Sequence, residues 1–344
     1  MTDVRIAVVG TGANGAGIAA DLLRAGQDVT LIEQWPDNVA AMRADGIVVQ
    51  TPSETVVTQA GSILNFCEVA ELRGQRFDLV FIVVKAYDTR WVSELIKPYL
   101  AEGALVVGLQ NGMTVDAMSE IIGPHRTLGA VIEIAAAMFT PGVVERHTPA
   151  SGTWFAIGSL TAATVGRESE VTEVLSHAGT AETVTDIRSA KWMKLTVNAA
   201  ELVTSAILDL PLLDAAKVPG MHDFMLTTGK EAVRTALATG HRIVPIFGLT
   251  DVDPEQPELF VEQTLDAVYT KWSLPHTKTT VLQDWQKRRR GEADELNGYV
   301  AREAARVGVR TDANERTAAI ARRIDAGELD PHPDNVRLLL AVHS

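Results

Sequence analysis

The tightest constraint on what this chain can fold into lies in its first 35 residues. A β-branched run, Val4–Val9, leads straight into Gly10-Thr11-Gly12-Ala13-Asn14-Gly15, and a segment with helical spacing, Gly15–Ala25, follows. A second strand-like run, Asp28–Ile32, ends at Glu33, 18 residues after Gly15. Strand, glycine turn, helix and strand, in that order, form the unit a dinucleotide site requires. Gly10 permits the tight turn, Gly12 lets backbone approach a pyrophosphate, and Gly15 lets the helix pack closely on the strand. The helix start, with Ala13 and Asn14, offers unsatisfied N–H groups to phosphate charge. Glu33 can accept a hydrogen bond from a ribose 2′-hydroxyl and would repel a 2′-phosphate. Gln34 and Trp35 follow it, not arginine. The local chemistry predicts an NAD(P)(H) site that favours NAD(H), with Arg43 still within loop reach of a 2′-phosphate. An unliganded turn is the plain competing reading, and the strand–helix–strand context weighs against it.

The rest of the first half keeps alternating. Asn38–Ala44 has helical spacing, Leu79–Val84 is a continuous apolar run, Ser93–Leu100 is helical again, and Leu105–Leu109 is another apolar run. Apolar runs of that length suit strands buried on both faces, and their alternation with helices predicts right-handed βαβ units on a parallel sheet. From Gly129 to Asp186 the segments shorten. Val143–Arg146 and Trp154–Ile157, with the Pro141-Gly142 turn, read as short strands suited to antiparallel additions at the sheet edge. After Ile187 the spacing is helical throughout: Lys191–Leu208, Leu213–Ala238, Leu259–Ala267 and Thr279–Val307. In the last of these, Leu282, Trp285, Ala293, Leu296, Val300, Ala304 and Val307 can share one stripe. Val244–Pro257 reads as an ordered loop between helices. The prediction is an α/β Rossmann-like domain over residues 1–186 and an all-α domain over 187–344.

Bulk properties exclude several functions. Net charge is −13, from 44 acidic against 31 basic residues, which disfavours a nucleic-acid partner. The short basic run Lys287–Arg290 reads as a solvated helix face. The single cysteine, Cys67, forms no internal disulfide and no Cys-cluster metal site; its apolar neighbours suggest a small core residue. No two histidines stand at zinc-ligand spacing, so no metal is expected. The N-terminus lacks the ordered regions of a signal peptide, and no apolar run is long enough to span a membrane; Ala130–Phe139 is short and holds Glu133. A reducing cytoplasm and no membrane partner are expected. No Gly-x-Ser-x-Gly is present to support a serine hydrolase.

With these motifs in hand the chain resembles the ketopantoate reductase (2-dehydropantoate 2-reductase) family over nearly its whole length. The resemblance rests on ordered motifs: Gly10–Gly15; Val84-Lys85-Ala86-Tyr87; Leu109-Gln110-Asn111-Gly112; Pro141-Gly142-Val143-Val144; Lys191-Trp192-Met193-Lys194-Leu195-Thr196-Val197-Asn198; Leu282-Gln283-Asp284; and Glu292-Ala293-Asp294-Glu295-Leu296-Asn297-Gly298. It implies a Rossmann-like domain, a helical domain like that of 6-phosphogluconate dehydrogenase, an active site in the cleft between them, and hydride transfer to a small 2-keto acid. It also implies that Lys194 is the catalytic lysine, that Asn198 binds substrate, that Glu292 is the acidic active-site residue, that Thr280 takes a substrate-binding serine's place, and that Lys85 and Asn111 line the nicotinamide and ribose side. The chemistry is coherent, because ketone reduction needs a proton at oxygen and a partly desolvated lysine can supply one. Asn198, four residues on, shares the helix face of Lys194. Lys191, three residues before, competes with Lys194 for the role. The bland readings are a solvated lysine, a surface glutamate in a charged helix, and a Lys85 stem that snorkels.

The sequence also departs from the family pattern. Leu202 stands where a second asparagine is usual, and Pro211-Leu212-Leu213 where many members have Pro-Asn-Gly. Glu133-Ile134 replaces small hydroxylated residues and a histidine, and Val244–Pro257 is an insertion relative to compact members. A site that loses polar partners for a substrate hydroxyl loses discrimination for it. These departures predict a more apolar or larger substrate than ketopantoate, such as another 2-keto acid or a keto lactone. Two other readings stand beside it: an NAD-dependent secondary-alcohol dehydrogenase working oxidatively, and a dinucleotide-binding sensor without chemistry, which retention of Lys194 and Glu292 opposes. A homodimer is expected on general grounds.

Overall fold

The computed structural model describes residues 4–249 and 252–341. The chain divides into two compact units. One holds the described residues up to Gln110 and Thr114–Ile187; the other holds Asn111–Met113 and everything described from Arg188 onward.

The first unit is α/β. Its strands are β1 (Arg5–Val9), β2 (Asp28–Glu33), β3 (Ile47–Gln50), β4 (Thr55–Thr58), β5 (Ser62–Asn65), β6 (Phe77–Ile82), β7 (Leu100–Gly108), β8 (Thr127–Glu133), β9 (Ala136–Ala137), β10 (Val143–Arg146), β11 (Trp154–Ser159) and β12 (Thr180–Thr183). Eight of them form one sheet in the order β12-β11-β8-β7-β6-β1-β2-β5. The run from β8 to β5 is parallel, and β11 joins β8 antiparallel, as the pattern of its segment suggested. The expectation for Val143–Arg146 fails. β10 joins a separate four-stranded sheet, β4-β3-β10-β9, because Val143–Glu145 pair with Val48–Gln50 instead of the main edge.

Period-two alternation sorts the core. Ile6 and Val8 face one side of the sheet with Leu31, Phe81 and helix α1 (Ala13–Arg24); Ala7 and Val9 face the other with Val80, Ile82 and Val92. Val92 belongs to α3 (Thr89–Ile96), which follows α2 (Pro36–Asp45) in the chain. With α4 (Val115–Ile122) and α5 (Glu168–Leu175) both faces are covered, as a parallel sheet requires. A buried ion pair, Arg146 with Asp21, ties β10 to α1, and Arg146 also donates to Thr148 O at 2.9 Å and Thr153 Oγ1 at 3.0 Å. Cys67 is exposed in a 3₁₀ turn over Phe66–Leu72, contrary to the core reading: that turn buries Val69 and Leu72 and turns Cys67 outward.

The second unit is helical: α6 (Ile187–Ala206, of which Arg188 onward belongs to it), α7 (Leu212–Lys217), α8 (Met221–Ala238), α9 (Pro257–Ala267), α10 (Thr280–Gln286), α11 (Asn297–Val307), α12 (Asp312–Asp325) and α13 (Val336–Leu339). Two long helices expected from spacing are each broken. Pro219-Gly220, with Gly220 at φ +83, separates α7 from α8. The segment predicted as one helix over Thr279–Val307 becomes α10 and α11 with a loop between them. Gly291 donates its N–H to Asp325 Oδ1 at 2.9 Å, Trp285 Nε1 donates to the same oxygen at 2.8 Å, and these anchors replace helical bonds. The basic run Lys287–Arg290 is therefore a turn, and Val307 leaves the predicted stripe and is exposed. α6 is buried on nearly all sides, through Trp192, Met193, Leu195, Val197, Ala199, Ala200 and Val203. No helix among the described residues is long and apolar enough to cross a membrane, and no group of three or more His, Cys, Asp or Glu among them could hold a metal ion.

Candidate active site

In the first unit the glycine turn stands at the C-terminal end of β1, between β2 and β6. Its glycines do different jobs. A Cβ on Gly15 would lie 2.0 Å from Gly10 O, and one on Gly10, at φ +91, would lie 2.7 Å from Val84 N. Both positions are closed by the protein's own backbone. A Cβ on Gly12 would meet nothing within 4 Å, although its φ of −65° suits any residue. No side chain caps α1, whose first N–H groups follow Gly12. Asn14 Oδ1 is buried without a hydrogen-bond partner. An open cradle and an uncapped helix start fit the pyrophosphate of a dinucleotide, whereas the Asn14 amide oxygen, an acceptor, suits a hydroxyl or N–H donor.

The turn is held from two directions. Thr11 Oγ1 donates to Glu33 Oε2 at 3.1 Å, while Glu33 Oε1 accepts from Gln34 N at 2.9 Å and Trp35 N at 3.0 Å. The carboxylate is buried; Oε1 is filled by its two N–H donors, and Oε2 keeps one acceptor position. Buried Asn38 donates to Thr11 O at 2.9 Å and accepts from Gly142 N at 2.8 Å, which gives the Pro141-Gly142 motif a structural role as a clamp on the glycine turn. Arg43, the residue left in reach of a 2′-phosphate, is engaged elsewhere: Nε donates to Ile63 O at 3.0 Å and the guanidinium pairs with Glu68, holding that carboxyl below its usual range. Lys85 is half-buried, one residue beyond the Val84 backbone that closes on Gly10, in a loop braced by Gln110 Nε2, which donates to Val84 O at 2.8 Å and Thr89 Oγ1 at 2.9 Å.

In the second unit the site is a polar stripe on an apolar helix. Lys191, Lys194, Asn198 and Glu201 recur at helical spacing along α6, and of Lys191–Glu201 only Lys194 is more than marginally exposed. Asn198 Nδ2 donates to Asn111 Oδ1 at 3.1 Å. Asn111, read as a coenzyme-side residue, thus sits beside the substrate-side asparagine. The stripe is flanked by two pinned segments. Thr279 Oγ1 donates to Leu202 O at 2.9 Å and fixes the start of α10, where Thr280 Oγ1 is buried with no partner. Asn297 Nδ2 donates to Ala199 O at 2.9 Å and fixes the turn before α11, which carries Glu292. Glu292 is buried in that turn, not on the surface of a charged helix, and Gly112 closes on it, its Cβ position 3.1 Å from Glu295 O. Burial raises the Glu295 carboxyl against its Arg290 partner, with the nearby charges of Glu292 and Asp294 adding to the rise.

The two lysines differ. Burial lowers the Lys191 ammonium to about 8. Lys194 Nζ stands 4.5 Å over the Phe247 ring. Sequence reasoning missed Glu201, Phe247 and Tyr269. Glu201 was findable from its seven-residue spacing to Lys194. The Tyr269 phenol is pushed up by burial and by the charge of Glu201, which places the two together. Nothing in the sequence marks Phe247.

Two family models match in tandem: "Ketopantoate reductase PanE/ApbA" over residues 6–160 and "Ketopantoate reductase PanE/ApbA C terminal" over residues 186–325. The chain belongs to the ketopantoate reductase family. It is an oxidoreductase of that family. A 2-dehydropantoate 2-reductase of Archaeoglobus fulgidus is 23% identical over 94% of this chain and 98% of that one. A PanE/ApbA family ketopantoate reductase of Ralstonia eutropha superposes with TM-score 0.78 at 27% identity, covering 94% of this chain and 99% of its own. D-Mandelate dehydrogenase, solved with NADH and anilino(oxo)acetate, superposes with TM-score 0.82 at 19% identity, covering 94% and 99%; that likeness is of fold alone. The ketopantoate reductase fold thus serves more than one substrate, and substrate must be argued from the site.

Proposed function

We propose that the protein reduces a 2-keto acid to the 2-hydroxy acid with a nicotinamide coenzyme, and that the keto acid is more apolar than ketopantoate. The observation that supports this best is Lys194, the more exposed lysine of the α6 stripe, with Asn198 fixed by Asn111 on the next turn. The reading assigns the coenzyme to Gly10, Gly12, Ala13, Asn14, Gly15, Glu33 and Lys85 of the first unit, and the keto acid to the second. The bound coenzyme supplies hydride to the keto carbon. Lys194 gives its proton to the keto oxygen, so one hydride and one proton yield the alcohol. Asn198 uses one amide hydrogen on Asn111 and keeps the other for substrate. Thr280, whose buried hydroxyl has no protein partner, donates to an oxygen of the acid, and Glu292, an acceptor, receives the new hydroxyl of the product. Leu202 and Leu212, both buried, leave few polar partners for a substrate hydroxyl. Glu33, with Arg43 committed to Glu68, supports NAD(H).

The test compares ketopantoate with its analogue lacking only the hydroxyl group, using NADH and NADPH side by side. The expected result is a higher kcat/KM for the deoxy analogue and for NADH. A site built around the hydroxyl would reject the analogue by roughly 10⁴-fold, and that result would return the substrate to ketopantoate. The engaged Glu33 also favours a second reading, oxidation of a secondary alcohol with NAD, for which the hydroxy acid and NAD are the assay. A homodimer, the commonest closed assembly, is proposed alongside and is checked by light scattering.

A further inference from the structure

The loop after α8 makes three contacts with the first turns of the stripe-bearing helix. Arg242 N donates to Ser189 Oγ at 3.0 Å, the His241 ring lies 5.5 Å from Trp192, and the Phe247 ring lies beneath Lys194 Nζ at 4.5 Å. Phe247 has φ +58, and among the described non-glycine residues of positive φ it alone is buried (Arg73, Asp209 and Arg288 are exposed). A bulky residue in that region is strained, and such strain collects at functional sites. Here it presents an aromatic ring to the amine assigned to catalysis.

A second aromatic element covers the same face. After α9 the chain makes a single π-turn, Val268–Trp272, a form that often marks functional positions. Trp272 packs on Phe247 with centroids 5.1 Å apart, and Tyr269 feels the charge of Glu201 two turns along the stripe. Phe247, Trp272 and Tyr269 therefore follow the helix face that carries Lys194, Asn198 and Glu201.

We propose that Phe247, backed by Trp272, is a specificity-determining residue: its ring receives the chain of the 2-keto acid and selects a bulky apolar group, an aryl ring above all, next to the keto carbon. The proposal rests on the assignment of Lys194 as the proton donor. Offset or edge contacts between rings favour an aryl group over an alkyl group of equal area, and a hydroxylated chain placed against the wall loses its hydrogen bonds to water.

The test uses the full chain and three 2-keto acids: phenylglyoxylate, pyruvate and ketopantoate. Phe247→Gly removes the ring and suits the positive φ, which offsets part of the cost of the cavity it leaves, and circular dichroism checks that the variant is folded; Phe247→Leu keeps apolar volume without the aromatic face. The wild type should prefer phenylglyoxylate to ketopantoate by about tenfold or more in kcat/KM, the worth of one well-buried apolar group. In Phe247→Gly the phenylglyoxylate KM should rise about tenfold with a smaller change in kcat, and its advantage over pyruvate should fall by a similar factor; Phe247→Leu should lie between. Calorimetric titration of phenylglyoxylate should show the same order of Kd without turnover. Equal selectivity and equal Kd in wild type and folded Phe247→Gly would overturn the proposal, and a lowered unfolding midpoint beside them would leave Phe247 a packing residue. Weaker binding in Phe247→Gly with no reduction by any of the proteins would uphold the aromatic wall and sink the reductase reading instead.

Discussion

The two units build their sites from opposite materials. The first uses backbone: glycines stripped of side chains, an uncapped helix start, and one glutamate that collects neighbouring N–H groups. The second uses side chains: a charged and polar stripe on a helix that is otherwise core. A backbone site works by leaving room, so substitution there acts through what it fills. A side-chain site works by supplying groups, so substitution there acts through what it removes. The stripe is also costly, since polar groups are held in apolar surroundings that a folded chain tolerates only with partners or a use.

The largest effect that this contrast predicts is at Lys194. Removing the proposed proton donor in Lys194→Ala should cut kcat by roughly 10²–10⁴-fold. Coenzyme affinity, read by fluorescence titration, should stay within about twofold. Lys191→Met is the necessary companion. The burial that lowers Lys191 to about 8 gives it the ionisation an acid near neutral pH needs, whereas Lys194 has the exposure and the Asn198–Asn111 neighbourhood. If Lys191→Met loses more turnover than Lys194→Ala, the roles exchange.

Next come the glycines, where the comparison is sharpest within one turn. Gly12→Ala should fold with an unchanged unfolding midpoint, because its Cβ meets no protein atom, yet weaken coenzyme binding about tenfold by filling the space a phosphate needs. Gly15→Ala should behave in reverse. Its Cβ would stand 2.0 Å from Gly10 O, and a forced shift of that size costs several kcal/mol, about the upper range of point substitutions. Equal losses of stability in the two variants would mean that the turn is only a structural bend.

This difference in material explains what was legible in the sequence. Glycines at fixed spacing after an apolar run declare a backbone site, and β1, α1 and Glu33 stand where that spacing put them. Lys194 and Asn198 were legible as one face of a helix, but their partners come from elsewhere in the chain. Asn111 reaches Asn198 across 87 positions, and no periodicity links them. The break at Lys287–Leu296 was hidden because apolar spacing persists through it, and Ala293 and Leu296 are buried although no helix holds them. The break at Pro219-Gly220 was legible, since that dipeptide marks a turn, but helical spacing on both sides masked it. Phe247 was invisible because its place depends on a backbone angle that phenylalanine rarely adopts.

Lys191 also predicts a dependence on pH. Its folded value lies below its unfolded one, so between about 8 and 10.5 the unfolded chain binds more protons and stability rises with pH. The full rise is about 3 kcal/mol, from the size of the shift. Lys191→Met should be more stable than the wild type at pH 7 and should lack its share of the rise in denaturant titrations between pH 8 and 10. A parallel rise in both proteins would mean that the amine is solvated.

The smallest effect comes from two buried glutamates that look alike. Glu33 collects Gln34 N and Trp35 N; Glu231 collects Ala313 N at 3.0 Å and Asn314 N at 3.0 Å at the start of α12, and Asn314 Nδ2 donates to it at 2.8 Å. In Glu33→Gln the acceptor proposed for the ribose is lost, so on that reading coenzyme affinity should fall and the preference for NADH over NADPH should narrow. Glu231 has only a helix to hold. Glu231→Gln should cost about 1–3 kcal/mol, the penalty of leaving a buried donor unmet, and leave coenzyme affinity unchanged. Burial raises the Glu231 carboxyl above 4.5 despite the N–H groups it accepts. A group raised in the folded state contributes stability that is full below its unfolded value and is lost as pH climbs through the folded one. The stability advantage of the wild type over Glu231→Gln should therefore grow as pH falls from 7 toward 4.5. An advantage that shrinks over that range would show that the N–H groups outweigh burial, and that the Glu231 carboxylate is the favoured form in the fold.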